Sequence, residues 1–248
     1  DPGQRAFAAD LDGVLNFDGR APRFEGAVTL AAPAQKDRGD EPPWRVSAKI
    51  KTDYAAARVE QIELAYGAEE RALKLSGSGD IRFGSSPLLR AVLSARQLDA
   101  DRFVSRDSNA SEPVRAPAAL RALIAGVPQL PIAAQIELGA EQVMLGGRPL
   151  QDVAAELHAD AKSWRVRKLE FRAPGATRVS LGEAGTKDVA PDRFNAALSV
   201  VSNDPDALLT WLQGRGDSTY RSQKPLRLRG DINVTSERFA IEAMKADI

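Results

Sequence analysis

The chain has 248 residues, with 34 Lys and Arg against 34 Asp and Glu, so its net charge is zero at neutral pH. No long block of either sign occurs, which gives a nucleic-acid partner no electrostatic support. The chain has no cysteine, which excludes disulfides and thiolate metal sites, and the single histidine, His158, cannot form a metal cluster by itself. We therefore predict no metal, no cofactor and no nucleic-acid partner.

The first predicted element is a β-hairpin. Apolar residues alternate from Ala9 to Phe17, Asp18-Gly19 marks a turn, and alternation resumes from Phe24 to Leu30. A charged, proline-rich stretch follows at residues 33–43 and predicts a loop. This alternation of apolar and polar residues is typical of strands with one buried face.

An internal repeat is predicted from two segments that align without a gap. Ala48–Leu64 and Ala155–Phe171 share five identities in seventeen positions. Adjacent polar pairs, Glu60-Gln61 and Arg167-Lys168, shift the phase of the alternation at the same place in both segments, which predicts a β-bulge in each. The period is roughly a hundred residues. We predict one continuous β-rich region over 1–248, with units of about 7–128 and 129–248.

The remaining pattern adds short strands and two short helices. Ser76 to Gly79 reads as a turn between strands. Pro117 to Ala125 has proline at the first helical position, and Asp204-Pro205 opens a second helix with an N-cap. The last hairpin spans Leu226 to Ala243. The predicted fold is mainly β: a long, curved antiparallel meander sheet, shaped as an open groove or a flattened half-barrel, with two short helices.

One short motif points to an enzyme. Asp10-Leu11-Asp12-Gly13-Val14-Leu15 resembles the first motif of the haloacid dehalogenase phosphatases, in which the first aspartate is the nucleophile and the second the general acid and base. The resemblance would give these roles to Asp10 and Asp12. That family places the motif after a buried parallel strand, whereas here a β-hairpin follows, so we prefer Asp10 and Asp12 as the solvent side of an alternating strand. We predict that the chain is not an enzyme and has no catalytic residue.

The two repeat segments supply candidates for an apolar groove that would hold acyl chains. These candidates are Ile50, Ile62, Leu64, Leu157, Trp164, Val166, Leu169 and Phe171. A filled core would need the same alternation as a lined groove, so both readings stay open.

Several phrases of the sequence resemble the AsmA family of bacterial envelope proteins. They are Phe24-Glu25-Gly26-Ala27-Val28-Thr29-Leu30, the segment Leu93 to Arg102, Trp164 through Gly182, and Phe194 through Leu212. The resemblance implies a periplasmic protein that a helix outside this sequence anchors in the inner membrane. Because the chain begins with Asp1 and still alternates at Ile248, we expect it to be a piece of such a protein.

The resemblance also implies a role in outer-membrane biogenesis. We expect a non-enzymatic module whose groove handles or transports phospholipid, or another acyl-chain ligand, between the two membranes. Other envelope proteins are further candidate partners. Two alternatives remain: a structural β scaffold that binds partner proteins without lipid, and a haloacid-dehalogenase-like phosphatase that uses Asp10 and Asp12.

Overall fold

The computed structural model describes residues 7–17, 19, 21–32, 43–105, 115–125, 130, 132–160, 164–183, 194–213, 224–234 and 239–247. Within these residues the chain forms thirteen strands and three helices. The strands are β1 (Ala8–Phe17), β2 (Pro22–Ala31), β3 (Trp44–Thr52), β4 (Ala56–Tyr66), β5 (Leu73–Arg82), β6 (Leu88–Asp99), β7 (Ala133–Leu145), β8 (Arg148–Ala159), β9 (Trp164–Ala173), β10 (Thr177–Glu183), β11 (Phe194–Ser202), β12 (Leu226–Val234) and β13 (Phe239–Asp247). The helices are α1 (Ala100–Val104), α2 (Ala116–Ala125) and α3 (Pro205–Gln213).

All thirteen strands belong to one open sheet whose spatial order is the order of the chain. β1 and β13 are its two edges, so the sheet does not close into a barrel. The predicted mainly β meander is confirmed, with two corrections. The pairing of β6 with β7 is parallel rather than antiparallel, and α1 adds a third helix to the two predicted ones.

The parallel pair explains where α1 and α2 lie in the chain. Leu88 pairs with Ala133 and Asp99 with Met144, so both strands run in the same direction. Parallel neighbours need a connection that returns from one end of the sheet to the other. Residues 100–132 provide this crossover, and α1 begins it, with the Asp99 carboxylate accepting a hydrogen bond from the Arg102 N–H at 2.8 Å.

The register of the strands sorts the side chains onto two faces. Val46 pairs with Leu64 and Leu64 with Leu75, and these side chains stand on what we name the apolar face. The opposite side, the polar face, carries cross-strand charge pairs. Glu25 is the direct partner of Lys51, and the two form an ion pair at 3.2 Å.

Both predicted β-bulges are present. In the pairing of β3 with β4 the register shifts between Ser47 and Lys49, and Gln61 has a φ of 51°. In the pairing of β8 with β9, Leu157 faces Val166 while the preceding Glu156 faces Lys168, which leaves Arg167 as the extra residue. Each bulge absorbs one residue, so the apolar residues on either side of it stay on the apolar face.

The predicted turn at Ser76 to Gly79 is wrong, because β5 runs through these residues without a break. Gly77 pairs with Leu93 and Gly79 with Ala91. A Cβ atom at Gly77 would overlap the carbonyl oxygen of Val92 in the neighbouring strand. These glycines therefore serve close packing of two strands and not a change of chain direction.

Two clusters of buried residues lie on the apolar face. The first joins β4 and β6 through Val59, Ile62, Ala91 and Leu93, and its described members include no helical residue. The second, larger cluster joins β7 to β12 with all three helices. Leu208 and Trp211 are the helical residues that α3 contributes to it.

The helices close one end of the sheet, which we name the helix end. The Trp211 indole N–H donates a 2.7 Å hydrogen bond to the Leu145 carbonyl at the last residue of β7. The Asp101 carboxylate of α1 accepts hydrogen bonds from the backbone N–H groups of Gly146 and Gly147, both at 2.7 Å. Each glycine has positive φ, as a tight two-residue hairpin turn requires.

Candidate functional site

The apolar face carries all of the predicted groove residues, in two groups. Ile50 lies on β3, and Ile62 and Leu64 lie on β4. Leu157 lies on β8, and its direct partner is Val166 of β9. The three others follow along β9 on the same face, with direct partners in β8 or β10: Trp164 with Ala159, Leu169 with Ala155 and Leu181, and Phe171 with Val179.

Direct pairing connects the two groups into continuous rows. One row crosses nine strands without a polar side chain, and its members are Gly13, Gly26, Ile50, Val59, Gly79, Ala91, Ile136, Leu157 and Val166. A second row crosses β4 to β12, and its members are Ile62, Gly77, Leu93, Leu138, Ala155, Leu169, Leu181, Leu198 and Gly230. At about 4.8 Å per strand, each row is about 38 Å long.

Sequence reasoning missed the central members of these rows. Leu93, Ile136 and Leu138 lie on β6 and β7, between the two repeat segments from which the groove residues were chosen. Their alternation with polar neighbours is the sequence signal that could have found them. Direct pairing of Leu93 with Leu138 and of Ile136 with Leu157 makes them part of the same surface as the predicted residues.

Most of the predicted groove residues are half-buried. Ile62 is 8% exposed, whereas Ile50, Leu64, Leu157 and Val166 remain partly accessible to solvent. The apolar face is most exposed to solvent at β1, where Leu11, Leu15 and Phe17 are 66%, 64% and 74% exposed. The accessible surface of the chain is 16781 Å², against about 10,700 Å² for a compact globule of this mass. A sheet without a second full layer contributes to this excess.

Two cavities in the described part of the structure open against the polar face. The first has a volume of about 680 Å³ and lies across β8 to β11 near the helix end. The second, of about 730 Å³, lies across β4 to β8 and has Leu157 among its lining residues. None of the other predicted groove residues lines either of these two cavities.

Asp10 and Asp12 lie on the polar face of β1, where both are exposed. Their direct partners across the strand pair are Thr29 and Ala27. β1 is an antiparallel edge strand whose next neighbour in sequence, β2, pairs with it as a hairpin. β1 is thus an edge strand of an antiparallel pair, and the two aspartates lie on its solvent side, whereas the phosphatase motif follows a buried parallel strand.

Hydrogen bonds and a charge pair stabilise the β3–β4 turn and the polar face beside it. The Asp53 carboxylate accepts hydrogen bonds from the backbone N–H groups of Ala55 at 2.7 Å and Ala56 at 2.9 Å. The bond from Ala56, followed by that from Ala55, lowers the pKa of Asp53 below its ordinary value. A hydrogen bond to Glu25 and the charge of that residue raise the pKa of Lys51.

Within the described residues, no group of three or more His, Asp or Glu side chains is placed to hold a metal ion. The same part of the chain contains no helix with the length and apolar character that a membrane crossing would need. Comparison of the chain with protein-family models, with curated proteins and with solved structures gives no match.

Proposed function

We propose that this chain is a non-enzymatic module of a bacterial envelope protein, similar to the AsmA family, whose apolar face handles phospholipid. In this proposal the acyl chains lie along the sheet while it supports transport between the inner and outer membranes. The full protein is then periplasmic and anchored in the inner membrane by a segment outside this sequence. The observation that carries the proposal is the pair of uninterrupted apolar rows across β1 to β12.

The length of these rows suits acyl chains. Each is about 38 Å long, which exceeds the roughly 30 Å hydrocarbon thickness of a whole bilayer, and the two overlap from β4 to β9. Each methylene that leaves water for such a surface contributes about 0.8 kcal/mol. The half-buried state of Leu157 and Val166 leaves part of each side chain available for that contact.

The burial of the first cluster supports a sheet that bends toward its apolar face. Val59 and Ile62 are each 8% exposed although no described helical residue belongs to their cluster. On a flat single layer these side chains would stand free, so we infer that side chains of flanking strands crowd over them. A twisted sheet of more than about ten strands is also expected to curl. The resulting concave surface would shelter hydrocarbon while the polar face stays in water.

The first test is extraction of the purified chain with organic solvent, followed by mass spectrometry. The proposal predicts co-purifying phospholipid, and uptake of a fluorescent phospholipid from vesicles by the emptied protein. Absence of both co-purifying and exchangeable phospholipid would contradict it.

A matched pair of variants assigns the binding to one face. Leu157→Gln introduces an amide into the middle of a row, whereas Glu156→Gln changes the adjacent residue on the polar face. We expect the first to reduce uptake several-fold and the second to leave it unchanged. Circular dichroism of both variants checks that each retains the fold.

A second candidate is a β scaffold that binds partner proteins and carries no lipid. It is favoured by the two edge strands, because β1 and β13 each have a described partner on one side only. Exposed edges can pair with a strand of another protein. If the purified chain contains no lipid but retains partner proteins, that result would favour this candidate.

A further inference from the structure

We infer that the 680 Å³ cavity on the polar face is a binding site for a phosphate group. It lies on the opposite side of the sheet from the apolar rows, so it does not depend on the proposed lipid track. The residues that line it are Arg148, Pro149, Gln151, Arg172, Ala173, Pro174, Gly175, Ala176, Arg178, Val201 and Asn203. Three are arginines and none is acidic.

The strand register brings two of these arginines into direct opposition. Arg172 of β9 is the cross-strand partner of Arg178 of β10, and Gln151 and Val201 continue the same row on β8 and β11. Directly opposite side chains have Cβ atoms about 5 Å apart, and like charges at that separation destabilise a sheet. An anion between the two guanidinium groups would remove this repulsion.

Among the described residues, one ion pair involves an arginine of this cavity. Asp152 of β8 forms an ion pair with Arg172, in which both side chains are more than half exposed. Neither Arg148 nor Arg178 forms an ion pair with a described residue. The lining therefore carries three arginines, and one ion pair among the described residues offsets part of their charge.

The chemistry of the lining favours a phosphate. Arginine presents planar N–H donors that bind phosphate oxygens in a bidentate manner, and Gln151 and Asn203 add amide donors to the same wall. The cavity has the volume of roughly twenty water molecules, which exceeds the size of a phosphate group. The second cavity differs because its lining includes four carboxylates, from Glu60, Asp80, Glu137 and Glu156, against the two arginines Arg58 and Arg90.

The test compares two double variants that remove the same number of positive charges. Arg172→Gln/Arg178→Gln changes the proposed site, and Arg58→Gln/Arg90→Gln changes the second cavity on the same face. Inorganic phosphate is titrated into each protein, and arginine side-chain N–H signals are followed by NMR. Flotation with vesicles of phosphatidylglycerol, and with phosphatidylcholine as the neutral control, tests a lipid phosphate.

We expect phosphate to bind saturably and to shift the signals of Arg172 and Arg178. The affinity for phosphate should fall about tenfold or more in the first double variant and change by less than about twofold in the second. Binding of phosphatidylglycerol vesicles with the same dependence on the variants, but no binding of free phosphate, would identify the source as a lipid headgroup. Failure of both ligands to bind would overturn the inference. Equal weakening by both double variants would also overturn it, because that result would reflect general surface charge.

Discussion

A buried hydroxyl pair at the helix end gives the sharpest stability prediction. Thr177, which opens β10, and Ser202, which ends β11, are both fully buried, and their hydroxyl oxygens are 2.7 Å apart. The Thr177 hydroxyl also donates to the Pro174 carbonyl at 2.8 Å. Since a hydroxyl has one hydrogen, Ser202 has to be the donor to Thr177. The pair therefore has a direction, and the two single substitutions should differ in cost.

Thr177→Val leaves the buried Ser202 hydroxyl and the part-buried Pro174 carbonyl without their partners. A buried polar group that loses its hydrogen bond costs about 1–3 kcal/mol and a part-buried one costs less, so we expect a loss of about 2–4 kcal/mol. Ser202→Ala leaves the Thr177 bond to Pro174 intact and should cost about 1 kcal/mol. The double variant has no orphaned Ser202 hydroxyl, so it should be less destabilised than the sum of the single variants by about 1 kcal/mol.

The assay is urea unfolding followed by far-UV circular dichroism, with the free energy of unfolding compared across the four proteins. Equal losses in the two single variants, or strict additivity in the double variant, would contradict the assigned hydrogen-bond direction. Thr177→Ser, which keeps the hydroxyl and removes only a methyl group, serves as the control and should retain the coupling to Ser202.

Three further predictions concern single residues. Trp211→Phe removes the indole donor and leaves the Leu145 carbonyl buried without it, so the free energy of unfolding should fall by about 1–3 kcal/mol in urea melts, and an unchanged melt would contradict the contact. Gly77→Ala forces a Cβ against the Val92 carbonyl and should destabilise by about 1–3 kcal/mol, whereas a neutral result would mean that β5 and β6 are further apart. The hydrogen bonds at Asp53 should stabilise the β3–β4 turn when the pH is above the ordinary pKa of this carboxyl, and this stabilisation should be lost as the pH falls through the lower pKa of the folded state. An NMR titration midpoint of Asp53 at or above 3.8 would contradict this.

Much of the fold could be predicted because one face of each strand is apolar. The alternation from Ala9 to Phe17 and the phase shift at Arg167-Lys168 correspond to β1 and to a bulge in β9. Proline at the start of a helix and Asp204 as its cap also located α3, where the Asp204 carboxylate accepts from the Ala207 N–H at 3.1 Å. These features depend on neighbours in sequence, which is why sequence patterns report them.

The parallel pairing of β6 with β7 could not be predicted in this way. Alternation is the same for parallel and antiparallel neighbours, and the length of residues 100–132 and the helix predicted within them do not by themselves distinguish a crossover from a long loop. Gly77 and Gly79 misled for a related reason, because glycine serves both turns and close strand contacts. The joining of Ile136 to Leu157 in one row likewise depends on which strand lies beside which.

The most direct test of the central claim is photo-crosslinking to phospholipid from adjacent positions on opposite faces. A benzophenone amino acid is placed at Leu157 or Glu156 on β8, and at Val166 or Arg165 on β9. After irradiation with radiolabelled phospholipid, the account predicts labelled protein from Leu157 and Val166, and little from Glu156 and Arg165. Equal labelling from both faces, or none from the apolar positions, would contradict it.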